Sequence, residues 1–205
     1  MIKLKHAINL HKGSTAFFVV ALMFAFNNFS SGAWIYLALH GSYGFLWLFK
    51  DRTFPDKQWE QEVPLWYAAV AFGALALYWI APVILISSHT DVPPHMLCAA
   101  VTLNIFGAVL HFGSDAQKHY TLQYKKGLIT TGFFARCRNT NYLGELMIYV
   151  GFAMLSMHWL GYLGITLFFL FVFIPNMLKK DKSISRYAEF AEYKKQSGLF
   201  LPKIW

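Results

Sequence analysis

Charged side chains are scarce in this sequence. Lys, Arg, Asp and Glu make up 14% of the 205 residues, whereas hydrophobic residues make up 57%. Soluble domains usually carry about 25% charged and about 45–50% apolar residues, so the composition indicates a membrane protein. Residues 13–49, 63–90, 92–114 and 146–178 contain no charged side chain at all. Each of these stretches is long enough for the roughly 20 apolar residues that one spanning helix needs.

The sequence also has few cysteines and no common nucleotide-binding motif. Cys98 and Cys137 are the only two cysteines, so the sequence indicates neither a disulfide framework nor a zinc cluster. The Gly-x-Gly-x-x-Gly and Gly-x4-Gly-Lys-Ser/Thr motifs do not occur, which excludes the common soluble nucleotide-binding folds. His89, Asp91 and His95 are spaced too loosely for the fixed geometry that a metal ion requires, and we predict no metal site.

The uncharged stretches predict an all-α fold, a polytopic bundle of about six transmembrane helices in a single membrane domain, residues 1–205. The first and last stretches are each long enough for two short spans joined by a polar turn. The runs are continuous and lack the alternation of membrane barrel strands. The predicted helices cover residues 14–28, 32–50, 64–87, 94–118, 140–157 and 160–178.

The basic residues predict the topology. All 18 Lys and Arg residues lie in residues 1–12, 50–57, 118–138 and 179–203, and the alternate loops hold none. Because cytoplasmic loops carry the excess of Lys and Arg, both termini are predicted to be cytoplasmic. Topology accounts for the positive charge, so we expect membrane lipid as a partner and no nucleic acid. The expected location is a bacterial inner membrane or the endoplasmic reticulum.

Polar side chains gather at the end of the fourth predicted helix. His111, Asp115 and either Lys118 or His119 share one face at spacings of four and three or four, provided that the helix continues beyond the membrane. A carboxylate beside cations can bind ribose hydroxyls while the cations bind phosphates. The alternative is an ordinary polar helix end in water.

The fifth predicted helix begins with a second polar group. Asn141 and Tyr142 lie on the face of Glu145, and an unpaired carboxylate there would cost several kcal/mol in an apolar setting. We therefore expect this face to border a wet, polar pocket. Arg136 and Arg138 precede it in a basic loop that suits either phosphate groups or anionic lipid.

Two further segments are candidates for chemistry. Tyr43, on the second predicted helix, is a candidate proton donor, the alternative being an interfacial tyrosine with an ordinary hydrogen bond. The basic tail is predicted either to bind a ligand or to rest on the membrane surface. Its candidate residues are Lys180, Asp181, Arg186 and Tyr193.

Three sequence blocks resemble a known membrane superfamily. SDAQK, KKGLITTGFFARCRNTNYLGE and KDKSISRYAEFAEYKKQSGLFLP are similar to segments of steroid 5α-reductases, sterol reductases and isoprenylcysteine carboxyl methyltransferases, over residues 105–205. The reductase branch carries Asn-x-Asn-Tyr/Phe-x-Gly-Glu, which residues 139–145 match. The likeness is strongest to reductase-like proteins of the DUF1295 group.

This resemblance implies NADPH in a pocket formed by the last helices and the tail, and hydride transfer to an activated C=C bond of a steroid-like or other lipid. Residues 1–104 are then expected to form the substrate side and residues 105–205 the cofactor side. The predicted catalytic residues are Tyr43 and Glu145. The predicted cofactor-binding residues are Asp115, Lys118, Arg136, Arg138, Asn141, Tyr142, Glu145, Lys180, Asp181, Arg186 and Tyr193.

Two other functions are compatible with the same blocks. The first is an S-adenosylmethionine-dependent methyltransferase of the isoprenylcysteine carboxyl or phospholipid type, because residues 199–203 resemble the tail of that branch. The second is a lipid-binding protein without catalysis. The chain also departs from steroid 5α-reductases, since it lacks their Gln-Glu-Leu-Pro segment and has His40-Gly41 where they have a His-Tyr pair.

Overall fold

The structure, a computed structural model, describes residues 1–204. Within these residues most of the chain is helical. The α-helices are α1 (Leu4–Ala25), α2 (Ser31–Tyr36), α3 (Ser42–Thr53), α4 (Leu65–Ala76), α5 (Ile80–Ser87), α6 (Pro94–Tyr124), α7 (Thr140–Leu155), α8 (Leu163–Phe168), α9 (Ile174–Ile184) and α10 (Phe190–Gln196). Two short strands, β1 (Ile2–Lys3) and β2 (Glu62–Val63), pair in antiparallel fashion.

Several of these helices are joined end to end by tighter or wider turns. Leu37–Gly41 is a π-helical turn between α2 and α3, and Phe169–Phe173 is another between α8 and α9. The 3-10 turn Leu77–Trp79 joins α4 to α5. Pro82 explains this last turn, because proline lacks the N–H that an α-helix would pair with the carbonyl of Tyr78.

Among the residues that the structure describes, four helical segments are long and apolar enough to cross a membrane: Leu4–Ala25, Leu65–Ser87, Pro94–Tyr124 and Trp159–Ile184. The prediction of a helical multi-pass membrane protein is confirmed, and four of the six predicted spans coincide with these candidates. The other two predicted spans are helical but fall short of the same criteria. Residues 31–53 include His40 and a charged end, and α7 has only 16 residues.

The observed helix bounds differ from the predicted ones in ways that matter for function. Helix α1 begins at Leu4 rather than at residue 14, so Lys12 lies inside a candidate span. Helix α6 continues to Tyr124, and the helix that holds Lys180 continues to Ile184. Charged residues assigned to loops from the sequence therefore lie on helices.

Large apolar side chains point outward from the candidate spans. Phe17, Trp66, Phe106 and Phe171 are 60–72% exposed, each on a different one of the four segments. Exposed apolar surface of this extent on a soluble protein would drive aggregation, whereas hydrocarbon solvates it. The outer faces of these helices are thus suited to lipid.

The chain packs as two compact units. Unit 1 comprises residues 1–104 and 149–165, and unit 2 comprises residues 105–148 and 166–204. In unit 1, α1 packs against α3, α4 and α5. Helices α1 and α3 approach closely at Gly44 of α3, where a Cβ atom would run into the main-chain carbonyl of Lys12. Only glycine allows the two backbones to come this near.

Unit 2 is held together by a helix crossing and by the tail. Helices α6 and α7 meet at Gly107 and Gly144, and a Cβ on Gly107 would lie 2.7 Å from the Gly144 carbonyl oxygen. The C-terminal tail is hydrogen-bonded to the loop before α7. Gly198 and Lys203 each donate a backbone hydrogen bond to the carbonyl of Arg136 at 2.9 Å.

Candidate cofactor site

Helix α6 supplies one side of the predicted site, in unit 2. His111 is buried, and its Nδ1 donates to the main-chain carbonyl of Asn141 at 3.1 Å. Asp115 follows one turn later and is 8% exposed, and Lys118 is half-buried. Because α6 runs unbroken to Tyr124, these three residues share a face as the spacing predicts.

Helix α7 supplies the second side with polar groups that lack partners. The Oδ1 atom of Asn141 is buried and accepts no hydrogen bond from any residue that the structure describes. Glu145 is half-buried, and within residues 1–204 no hydrogen bond or ion pair engages its carboxylate. Buried polar atoms are nearly always paired, so an orphaned oxygen of this kind is an indication of a missing ligand.

Lys180 of α9 belongs to the same group of charges. Its Nζ donates to the carbonyl of Arg138 at 2.6 Å and lies 5.1 Å from the ring centre of Phe134. The carboxylates of Asp115 and Asp181 attract this ammonium group, whereas Lys118 repels it. Two cations and a buried carboxylate thus lie within electrostatic reach of one another near the end of α6.

The polar groups extend along the seam between α6 and α7. The two helices are antiparallel there, because Gly107 meets Gly144 and Ile148 whereas His111 meets Asn141. Asp115 lies four residues from His111 in one direction, and Glu145 lies four residues from Asn141 in the other. At about 1.5 Å per residue, the two carboxylates are separated by roughly 12 Å along the helix axes. An extended ligand suits this spread better than a single small anion.

Arg138 and Asp181 have their charges neutralised by each other. Arg138 is 4% exposed, and its Nε and Nη2 atoms donate to the two Asp181 oxygens at 2.8 and 2.9 Å. Nη1 donates to the carbonyl and the hydroxyl of Ser197. A fork–fork pair of this kind fixes the loop before α7 against α9 and the tail. Their assignment to the cofactor stays a prediction, and the observed contacts give them a positioning role.

The two predicted tyrosines of unit 2 differ in their surroundings. Tyr193 is buried, its hydroxyl donates to the carbonyl of Phe134 at 2.7 Å, and burial raises its pKa to about 12. Tyr142 is half-buried with its ring centre 4.8 Å from that of Phe173. Tyr193 thus supports the loop at Phe134, and Tyr142 lies beside the first turn of α7.

Arg136 and Arg186 are the exposed cations of the predicted set. Arg136 precedes the buried Arg138 by two residues. Arg186 lies between α9 and α10, where its guanidinium donates to the hydroxyl of Tyr187 at 3.3 Å. Exposed guanidinium groups are accessible to phosphate groups. Among the described residues, no group of three or more His, Cys, Asp or Glu is arranged to hold a metal ion.

Tyr43 belongs to unit 1, in a buried cluster centred on Lys12. Tyr43 is 1% exposed, and Lys12 Nζ lies 3.4 Å from its hydroxyl and donates a second hydrogen bond to the hydroxyl of Tyr149. Sequence reasoning missed Lys12, because it treated this residue as one of the basic residues flanking the first span. The signal available was the apolar Ala7-Ile8 pair upstream, which allows the helix to begin before the lysine.

A protein-family model matches most of the chain. The family model described as "Protein of unknown function (DUF1295)" matches residues 48–197, about three quarters of the chain. The matched range contains Asp115, Asn141, Glu145 and Lys180 but neither Lys12 nor Tyr43. No curated protein matches the chain.

Proposed function

The chain belongs to the DUF1295 family, and from this premise we propose that it is a membrane-embedded, NADPH-dependent reductase of the steroid 5α-reductase-like type. The proposed reaction reduces an activated C=C bond of a steroid-like or other lipid. One observation supports the proposal most. The α6–α7 seam combines the buried Asp115, the half-buried Lys118 and Glu145, and an orphaned Asn141 oxygen over roughly 12 Å.

The residues of unit 2 fit the chemistry of a phosphorylated dinucleotide. The half-buried Lys118 and Lys180 supply positive charge for phosphate groups, and so do two exposed arginines, Arg136 and Arg186. Asp115 and Glu145 are acceptors for ribose hydroxyls and a carboxamide N–H₂. The Oδ1 atom of Asn141 is a further acceptor, already desolvated. When bound, NADPH would supply the hydride.

The proposed proton donor is a residue of unit 1. In the reduction, one alkene carbon receives the hydride and its neighbour receives a proton, for which Tyr43 is the proposed donor. The Tyr43 hydroxyl lies in a buried, largely aromatic setting from which bulk water is excluded. Its phenolate is then reprotonated from water, so the net reaction consumes one proton. Exclusion of water also prevents loss of the hydride to solvent.

The most direct test identifies the retained nucleotide. The full chain is purified in a mild detergent, denatured and analysed by mass spectrometry for released small molecules. We expect NADP(H) at close to one equivalent. Release of S-adenosylmethionine or S-adenosylhomocysteine would replace the reductase with a methyltransferase, and failure to bind added NADPH would remove the proposal.

Glu145→Gln is expected to weaken NADPH binding by about 10- to 100-fold, because hydrogen bonds to a charged acceptor contribute about 1.5–3 kcal/mol. The measurement is a titration of NADPH fluorescence, with thermal melting recorded alongside. Glu189→Gln is the matched control, since it makes the same change at an exposed glutamate of unit 2. An equal loss of binding and of thermal stability in Glu145→Gln would make Glu145 a structural residue instead.

Tyr43→Phe is expected to lower turnover by about 10²- to 10⁴-fold, the usual contribution of a positioned proton donor. Turnover is followed as NADPH oxidation with 4-cholesten-3-one, a lipid whose C=C bond is conjugated to a carbonyl. Bound NADP(H) should be unchanged, because the substitution lies in unit 1. Full turnover in this variant would assign the proton to another group.

A further inference from the structure

Lys12 is an ionisable residue inside a candidate membrane span. Helix α1 runs from Leu4 to Ala25, and Lys12 lies two turns into it with only 3% of its surface exposed. An ammonium group is costly in such a place, so proteins keep one there when it pairs with other groups and has a function. The sequence pattern and the family match leave this residue without a role, because residues 48–197 do not include it.

Two tyrosine hydroxyls converge on the Lys12 ammonium. It donates to the hydroxyl oxygen of Tyr149 and lies 3.4 Å from that of Tyr43. The rings of Tyr43, Tyr149 and Trp47 also surround it, with centres 4.5, 4.9 and 5.0 Å from Nζ. A phenol that accepts a hydrogen bond from a cation donates its own proton more strongly. The cluster therefore concentrates positive potential and strong hydroxyl donors at one point.

The cluster is held rigidly by its neighbours. The rings of Tyr149 and Tyr78 stack with centres 3.8 Å apart, and α3 is fixed against α1 where Gly44 meets the Lys12 carbonyl. A π-helical turn, Leu37–Gly41, immediately precedes the helix that carries Tyr43. Turns of this kind often mark functional positions in helices. Preorganised donors of this sort lose little energy to reorganisation when charge develops.

His40 adds an independent sign of a ligand. It is 1% exposed, its ring stacks on Phe152 with centres 4.1 Å apart, and its Nδ1 shares a hydrogen bond of 2.9 Å with the Tyr36 hydroxyl. Its Nε2 atom is buried without a hydrogen-bond partner among residues 1–204. The ring lies beside the cluster, with its centre 6.2 Å from that of Tyr149. A buried nitrogen left unpaired in this way calls for a polar atom from outside the protein.

We propose that Lys12, Tyr43 and Tyr149 form an oxyanion site in unit 1, which binds a carbonyl-type oxygen of the lipid and stabilises the negative charge that this oxygen gains. Lys12 is the positioning residue, and the two hydroxyls are the groups that touch the ligand. The proposal rests on the proposed reduction, because hydride addition to a C=C bond conjugated to a carbonyl moves an electron pair onto the carbonyl oxygen. Tyr43 then delivers its proton to the neighbouring carbon, and the carbonyl is restored.

The test uses 4-nitrophenol, whose ionised form is an oxyanion with its own absorption band, and 4-nitroanisole, which has the same ring but cannot ionise. The detergent-solubilised full chain is titrated with each probe at one pH, and partitioning into empty micelles is subtracted. We expect the wild-type protein to bind 4-nitrophenol in its ionised form. Lys12→Met should weaken this binding by about 10- to 100-fold, because the hydrogen bonds lost involve charged groups, and leave 4-nitroanisole binding unchanged.

Three variants keep the test decisive. Lys12→Arg retains the charge and should retain most of the phenolate binding. If Lys12 had only a structural role, Lys12→Met would weaken the binding of both probes alike. Tyr149→Phe removes one hydroxyl but keeps the stacked ring, and a several-fold loss is expected even if Lys12→Met does not fold. Lys57→Met, at an exposed lysine of unit 1, corrects for net charge.

The outcomes separate this site from the proposed cofactor site. Absence of phenolate binding by the wild-type protein, or parallel loss of both probes in Lys12→Met, overturns the oxyanion site. Neither result depends on NADPH, because the titration is run without nucleotide. Phenolate binding without any retention of NADP(H) would leave the oxyanion-binding cluster in place and remove the reductase.

Discussion

Arg138→Met is expected to lower the free energy of unfolding by about 3–5 kcal/mol, because it leaves the Asp181 carboxylate without its cation in a largely buried setting. Both oxygens of Asp181 lose a donor, and so do the carbonyl and hydroxyl of Ser197. For a chain of this size the melting temperature should fall by about 6–20 °C. The measurement is thermal melting in detergent, followed by tryptophan fluorescence.

Two comparisons isolate the ion pair. Arg136→Met makes the same replacement at an exposed position two residues earlier and should change the melting temperature little. The double variant Arg138→Met/Asp181→Leu removes both charges and should recover much of the loss, since a buried ion pair replaced by apolar groups is often neutral. If the double variant is as unstable as the single one, the loss arises from the Ser197 contacts instead.

The Arg138–Asp181 pair also illustrates a limit of sequence reasoning. The sequence shows that Asp181 has basic neighbours, among them Lys180 and Arg186. The structure pairs Asp181 with Arg138, 43 positions away along the chain. Periodicity reports which residues share a face of one helix, but it carries no information on which loop packs against that face. The partner therefore could not be derived from spacing.

Helix positions were predictable where apolar runs are long and end in charge. The pattern located the helical segments and the face shared by Asp115 and Lys118, since both depend only on local spacing. It failed at the start of α1, where a lysine was assumed to end the span. Lys12 is tolerated inside because tyrosine hydroxyls and aromatic rings surround it, and these come from segments far away in sequence. Tertiary contacts thus decided a boundary that hydropathy alone could not.

Gly144→Ala is expected to destabilise unit 2 by about 1–3 kcal/mol and to weaken NADPH binding with it. A Cβ atom at this position would collide with the main-chain nitrogen of His111 and the carbonyl oxygen of Gly107. Both obstacles are backbone atoms, so no side chain is able to move aside and the helices must separate. Separation would also break the hydrogen bond from His111 to the Asn141 carbonyl, which aligns the two sides of the proposed site.

Gly73→Ala provides the matched control for this prediction. Gly73 lies inside α4, and a Cβ atom there would meet nothing within 4 Å. Because alanine is a better helix former than glycine by about 1 kcal/mol, this variant should be as stable as the wild type or more stable. The two substitutions are chemically identical, so opposite shifts in melting temperature would isolate the contact between α6 and α7. Equal melting temperatures, with NADPH binding unaffected in both variants, would contradict the prediction. They would mean that α6 and α7 can separate at Gly144 without loss of stability, and that this contact does not shape the site.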